Sequence, residues 1–376
     1  MSRIDALIER YAPRGVEYRP LGTLGSRNKG TTITAARMKA IADESGPIRV
    51  FAGGQTFCDV AAGAVPEKDV VRVPSIVVRS RGHIGFTFYD QPFTHKSELW
   101  SYSIERPDVV QKFIYYYLLT QVPRLQEIAR GTSVKLPQLS VKDTDMLRVP
   151  VPPLEVQREI VRVLDAFTKL ETELEAELEA ELEARKQQYA HSRDTFLAFD
   201  SSVPLVAVGE LTVGVASGRN KSRADHGAYP VYGSTGRIGF TDKPACAGDA
   251  LLVARVGANA GRVYAVSSEY DVSDNTLIVS PSSRWSARFA FHQLSQMNLN
   301  QYAVGGGQPL ITGALLKRLE VSLPSIEEQE RVADVLDKFD VLVNDLSSGL
   351  SAELEARRQQ YAYYRDRLLS FKEAVA

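Results

Sequence analysis

The residues of this chain that could do chemistry are defined first by what their motifs lack. Gly25-Ser26-Arg27-Asn28-Lys29-Gly30-Thr31-Thr32 keeps the glycine spacing of a phosphate loop. It carries Thr31 where the lysine that reaches the β- and γ-phosphates must stand, so the segment reads as a turn. Phe51-Ala52-Gly53-Gly54 hints at a methyl-donor loop, but its second glycine is displaced and no Asn/Asp-Pro-Pro-Phe/Tyr motif accompanies it. The five histidines (His83, His95, His191, His226, His292) fall at no metal-ligand spacing, and Cys58 and Cys246 are too far apart for a Cys-x-x-Cys site. Gly305-Gly306-Gly307 reads as a flexible turn that could also bring backbone N–H groups to a phosphate. No catalytic group, metal or cofactor is expected in the chain itself.

What remains is a set of cations and amides beside turns. Arg27, Lys29, Arg79, Arg81 and Lys96 lie in the first third, and Arg219, Lys221, Arg223, Arg255 and Arg262 in the second half. Asn220, Asn259, Asn275 and Gln308 are amides of the kind that pair with adenine, as arginine pairs with guanine. Tyr232, Ser234 and Thr235 make a polar turn that either serves recognition or closes a hairpin. Any one of the cations is equally a solvated surface charge.

The elements that must position these residues are built twice. At an offset of 172, Pro152–Phe199 aligns with Pro324–Phe371 without a gap, with 24 of 48 positions identical. Prolines ending Val149-Pro150-Val151-Pro152 and Val321-Ser322-Leu323-Pro324 close a strand and open a helix. Leu164, Phe167, Leu170, Leu174, Leu178 and Leu182 then recur at three- and four-residue steps, as do Leu336, Phe339, Leu342, Leu346, Leu350 and Leu354. Each copy is one apolar stripe on a charged rod, and such a helix extends roughly 70 Å at about 1.5 Å per residue. The stripes are expected to bury each other antiparallel, the alternative being that each packs on its own domain. Ser347-Ser348-Gly349 predicts a local bend in the second rod.

The fold class expected is mixed α/β: two α/β domains alternating with two long helices that pair as an antiparallel coiled coil, a pseudo-two-fold internal repeat. The boundaries are 1–149 for the first domain with a short N-terminal helix, 150–199 for the first long helix, 200–321 for the second domain and 322–376 for the second helix. The domains differ more than the helices do, yet share phrases: Leu21-Gly22 with Val208-Gly209, Arg27-Asn28-Lys29 with Arg219-Asn220-Lys221, and Phe51-Ala52-Gly53 with Tyr232-Gly233-Ser234. Net charge is −1 over 376 residues, but residues 150–199 carry −5 and 322–371 carry −4, against +6 for 1–149 and +2 for 200–321. Any polyanion contact is therefore expected at the domains and not at the helices. Two cysteines and no long apolar run lead us to expect a cytoplasmic protein without a membrane partner.

The duplicated helix start, Pro152-Pro153-Leu154-Glu155-Val156-Gln157 and Pro324-Ser325-Ile326-Glu327-Glu328-Gln329, followed by a coiled coil ending in Gln-Gln-Tyr, resembles the DNA-specificity subunit of type I restriction-modification systems. The second domain resembles the family's recognition domains in Tyr229-Pro-Val-Tyr-Gly-Ser-Thr-Gly236 and Ala254-Arg-Val-Gly-Ala-Asn-Ala-Gly261, whereas the first has Val50-Phe-Ala-Gly-Gly54 instead. The resemblance implies a non-catalytic adaptor that binds double-stranded DNA. Each domain would read one half of a bipartite target while the helices set the spacing and dock two methyltransferase subunits. A motor-nuclease restriction subunit would complete the complex, with S-adenosylmethionine, ATP and Mg on the partners. Together with the cations, amides and polar turn read above, it leads us to expect DNA contact by Arg27, Lys29, Arg79, Arg81, Lys96, Arg219, Asn220, Lys221, Tyr232, Ser234, Thr235, Arg255, Asn259, Arg262 and Gln308. A specificity chain serving a fused methyltransferase-nuclease, or a coiled-coil scaffold without DNA affinity, fits the same pattern.

Overall fold

The structure is a computed structural model that describes residues 3–132, 137–305 and 309–374. The chain divides into two compact units, Met1–Glu175 with Glu353–Ala376, and Ala176–Ala352. Each unit therefore contains one domain, the start of the long helix that follows it and the end of the other long helix.

In the first unit, helix Arg3–Tyr11 precedes β1 (Tyr18–Pro20), β2 (Ser26–Lys29), β3 (Ile48–Phe51), β4 (Phe57–Val60), β5 (Ser75–Arg79), β6 (Gly85–Tyr89), β7 (Phe93–His95), β8 (Trp100–Ser103) and β9 (Arg148–Pro150). Sheet order is β2-β8-β5-β6 and β4-β3-β7, with β1 pairing β9. The central strand β5, Ser-Ile-Val-Val-Arg, is buried through its first four residues because Ile76 and Val78 share a core with Phe113 and Ile114 on one face while Val77 packs with Phe51 and Phe93 of the other sheet on the opposite face. In the second unit the strands are β10 (Leu205–Ala207), β11 (Thr212–Ser217), β12 (Tyr229–Gly233), β13 (Gly236–Thr241), β14 (Cys246–Ala247), β15 (Ala250–Ala254), β16 (Val263–Val266), β17 (Glu269–Val272), β18 (Thr276–Pro281) and β19 (Glu320–Ser322). The order β11-β18-β15-β16, β13-β12-β17-β14 and β10-β19 repeats the first unit with one strand added.

Registers fix the equivalences between domains. Leu21 N–H donates to Leu147 O at 2.9 Å and Val208 N–H to Leu319 O at 2.8 Å, so the Leu-Gly and Val-Gly phrases match. Phe51 pairs in parallel with His95, and Tyr232 with Val272, so the aromatic turns match as well. The Arg-Asn-Lys phrases do not. Lys29 lies opposite Trp100 inside β2, whereas Arg219 to Lys221 follow the end of β11, whose last residue Ser217 lies opposite Leu277. Ser26–Lys29 is thus a strand, not the expected turn, because β8 offers it a ladder of partners.

The long helices are Leu154–Phe196 and Ile326–Leu368, and the backbone of the second runs through Gly349 without a break. In the first unit the Phe167 and Tyr361 rings lie 6.3 Å apart and Arg358 Nε donates to Glu175 at 3.0 Å. Advancing along one helix retreats along the other. In the second unit Tyr189 and Phe339 make the equivalent ring contact at 6.5 Å. The stripes are only partly covered: Leu164 and Leu336 are fully buried against the domains, but Leu170 is 61% and Leu342 57% exposed. The side chain of Leu346 lies outside the described set.

Domain and helix are joined by buried polar groups. Gln157 accepts from Val110 N–H at 2.7 Å and donates to Asp108 O and Pro152 O at 3.0 and 2.6 Å. Gln329 repeats this with Ser286 N–H at 2.9 Å and with Arg284 O and Pro324 O, both at 3.0 Å. Two helical turns on, Asp165 accepts from Lys112 (2.9 Å) and Tyr116 (2.5 Å) of helix Gln111–Thr120, and Asp337 from Arg288 (2.6 Å) and His292 (2.7 Å) of helix Ala287–Gln296.

Replacing Gln157 or Gln329 with leucine strands a backbone N–H and two carbonyls in a dry site, at about 1–3 kcal/mol for each stranded group left unsolvated. Chemical denaturation should show a loss of about 3 kcal/mol for either variant. A loss below about 1 kcal/mol would mean that water or relaxation replaces the amide.

Burial pushes the His95 and His292 imidazoles below their ordinary range; for His292 the opposing pull comes from Asp337 and Asp340, while Arg193 adds to the lowering. The unfolded chain therefore binds more protons, so the stability tied to neutral histidine is present above about pH 6.5 and is lost as pH falls below it. Urea denaturation between pH 7.5 and 5.5 should show falling stability. His292→Gln should shallow the slope, and an unchanged slope would remove His292 from the account.

Candidate nucleic-acid interface

The second unit gathers four of the expected DNA-binding residues around one cleft of about 740 Å³: Asn220, Lys221, Ser234 and Thr235. The cleft is lined by three segments that converge because the strands before them are paired: the stretch after β11 with Asn220 and Lys221, the β12–β13 turn with Ser234 and Thr235, and Ser273 to Asn275 between β17 and β18. Asn220 is fixed by its backbone N–H to Val272 O at 2.9 Å and by its amide to the Asp271 carboxylate. Arg219, Lys221 and Arg223 are exposed and make no side-chain hydrogen bond or ion pair among the described residues. Three cations without an ion pair, beside the fixed amide of Asn220 and the hydroxyls of Ser234 and Thr235, form a surface suited to phosphates and base edges.

Asn259 and Arg262 line a separate cleft of about 470 Å³ with Asn298 and Asn300, and the Arg262 guanidinium lies over Tyr264 at 5.3 Å. Arg255 borders neither cleft and reaches Ser217 Oγ at 3.5 Å. Tyr232 is half-buried, edge-on to Tyr270 at 6.2 Å, and so packs a core. Gln308 and Gly306-Gly307 lie outside the described residues.

In the first unit the expected cations are mostly engaged. Arg27 donates to Asp145 at 3.0 Å, and Lys96 pairs with Glu98 at 2.7 Å. Arg79 donates through Nε to Thr87 at 3.1 Å and through Nη1 to Gly54 O, and its burial pulls its pKa down. Arg81 and Lys29 are exposed. Lys96 lines a cleft of about 430 Å³ with Gly53, Phe57 and Glu98. Glu98 and Asp274 were not singled out from sequence, because acidic residues carry no polyanion signal; only strand register shows that Glu98 and Asn275 occupy equivalent positions.

Burial holds the Cys58 and Cys246 thiols above their ordinary range, against reactive thiolate chemistry. Among the described residues no group of acidic, histidine or cysteine side chains is placed to hold a metal, and no helix is long and apolar enough to cross a membrane.

Two like domains on duplicated helices, with polar clefts at loop clusters, define a repeated recognition module. The Type I restriction modification DNA specificity domain matches residues 13–184 and 208–356, and the chain belongs to that family. It is 32% identical over 251 residues to the type I restriction enzyme EcoprrI specificity subunit of Escherichia coli, an alignment covering 63% of this chain and 62% of that one. The EcoR124I/EcoR124II specificity subunit of Escherichia coli is 31% identical over 294 residues, 69% of this chain and 70% of that one. A solved chain from work on complex assembly and conformational transition of the type I R-M system shares the fold, with a TM-score of 0.71 at 13% identity over 95% of this chain and 98% of that one.

Proposed function

We propose that this chain is the non-catalytic DNA-specificity subunit of a type I restriction-modification complex. Each recognition domain reads one half of a bipartite double-stranded target. The long helices hold the two at a fixed spacing and dock two methyltransferase subunits, and a motor-nuclease subunit completes the assembly. S-adenosylmethionine, ATP and Mg belong to those partners.

One observation carries this reading. Residues 180–190 and 352–362 both read Ala-Glu-Leu-Glu-Ala-Arg-x-Gln-Gln-Tyr-Ala, yet in each copy only Leu182 or Leu354 and the closing Tyr-Ala pair are even partly covered. Folding does not require such identity on an exposed face, where most substitutions change stability by less than about 0.5 kcal/mol. The domains, whose cores do constrain them, have meanwhile diverged. A surface kept twice beside two unlike readers fits one kind of partner bound twice and two different half-sites.

Exchanging residues 203–321 for the corresponding domain of a related subunit should change one half of the methylated sequence and leave the other intact. Sequencing methylated DNA from cells carrying the hybrid checks this, and a change in both halves would sink modular readout.

Replacing Lys221 and Arg223 with alanine should weaken binding to all sequences alike, and should reduce the slope of log K against log salt by roughly 0.9 for each phosphate that is no longer neutralised. Titration at several salt concentrations measures it. An unchanged slope would take these cations off the DNA.

A further inference from the structure

Each domain carries a hairpin at the edge of its second sheet, β3-β4 or β12-β13, whose tip is tethered to the other, four-stranded sheet. In the first, β3 and β4 close through Ala52 to Thr56, with Ala52 N–H donating to Thr56 O at 2.9 Å and Gly54 at φ +67°. In the second, β12 and β13 close through Ser234-Thr235, between the paired Gly233 and Gly236, the latter at φ +94°. The ribbons are equivalent, since β3 and β12 each pair in parallel with the next strand through the matched residues Phe51 and Tyr232.

Both braces involve the same position on the main sheet. Thr87 lies opposite Val77, and Tyr264 opposite Leu252, at the same place on the four-stranded sheet. Thr87 accepts from Arg79, whose other nitrogen donates to Gly54 O at the first tip. Tyr264 OH donates directly to Ser234 O at the second, at 3.3 Å. Different residues thus tether a carbonyl at the tip of each hairpin, although the two loops differ in length.

The tips present side chains with no internal role. Gln55 and Thr235 are exposed, and neither makes a side-chain hydrogen bond among the described residues. Beside each tip is a cleft that also holds exposed, unpaired cations: Lys39 at the first, Lys221 and Arg223 at the second. The major groove admits two strands side by side, the width of each hairpin tip; glutamine there matches adenine N6 and N7, and threonine offers a hydroxyl and a methyl.

We infer that these two braced hairpin tips are the base-reading elements, Gln55 for one half-site and Ser234-Thr235 for the other, with Arg79 and Tyr264 as positioning residues. This rests on the DNA-specificity reading above. Arg79, expected from sequence to touch DNA, here acts on the protein.

The test uses the full chain assembled with its methyltransferase partner and maps the methylated sequence. Gln55→Ala should relax one or two positions of a single half-site by about tenfold or more, and Gln55→Glu should shift preference there toward cytosine, which offers a donor. Thr235→Val should act only on the other half. Tyr264→Phe should broaden the second half-site while total DNA affinity holds, a change that a merely structural role would not produce. If folded Gln55 and Thr235 variants methylate the unaltered motif, the tips do not read bases, although the two-part reading stands. If the wild-type complex shows no two-part motif, the parent reading falls and this one with it.

Discussion

A buried amide at the foot of each long helix is the contact on which the rest depends. Gln157 and Gln329 each tie together the strand exit, the start of the helix that packs on the sheet, and the first turn of the rod. Both are almost wholly buried, so the bonds are made without competing water and breaking them leaves polar groups stranded. An amide suits this place because it donates and accepts without a charge to desolvate. With the aspartates two turns further on, each domain is held to its helix at two points, which fixes rotation as well as position.

Around that shared joint the two units solve the same problem with different chemistry. Asp165 is met by a lysine and a tyrosine, Asp337 by an arginine and a buried histidine. Phe371, just beyond the end of the second helix, packs on Phe113 at 6.0 Å, and Phe199, just beyond the end of the first, on Phe289 at 6.1 Å. Each domain core is therefore completed by a residue from the end of a long helix, for the first domain one far from it in sequence, which makes the helix ends part of the domains.

The recognition faces are less alike than the scaffold. Arg27 and Lys96 are occupied by carboxylates in the first domain, while Arg219, Lys221 and Arg223 stand without an ion pair in the second. The occupied pairs remain in reach of solvent, and such surface pairs are worth at most about 1 kcal/mol, so a phosphate competes with them easily. Arg79 differs in kind, because its burial and its bond to Gly54 O commit it to holding the hairpin.

The duplication, the long helices, the alternation with α/β domains and the family were all legible in the sequence, because an apolar stripe at helical spacing and a gapless repeat are local patterns that survive without knowledge of contacts. The antiparallel pairing followed from two stripes of equal length. What only the tertiary structure decided is which polar side chain is free and which is spent. Arg27 finds Asp145, Asn220 finds Asp271, and Gly54 finds Arg79 across 118, 51 and 25 residues of sequence. The same limit misaligned the Arg-Asn-Lys phrases and hid Gln55: a strand's register is set by the strand it pairs with, and a hairpin tip is exposed only because its neighbours are not.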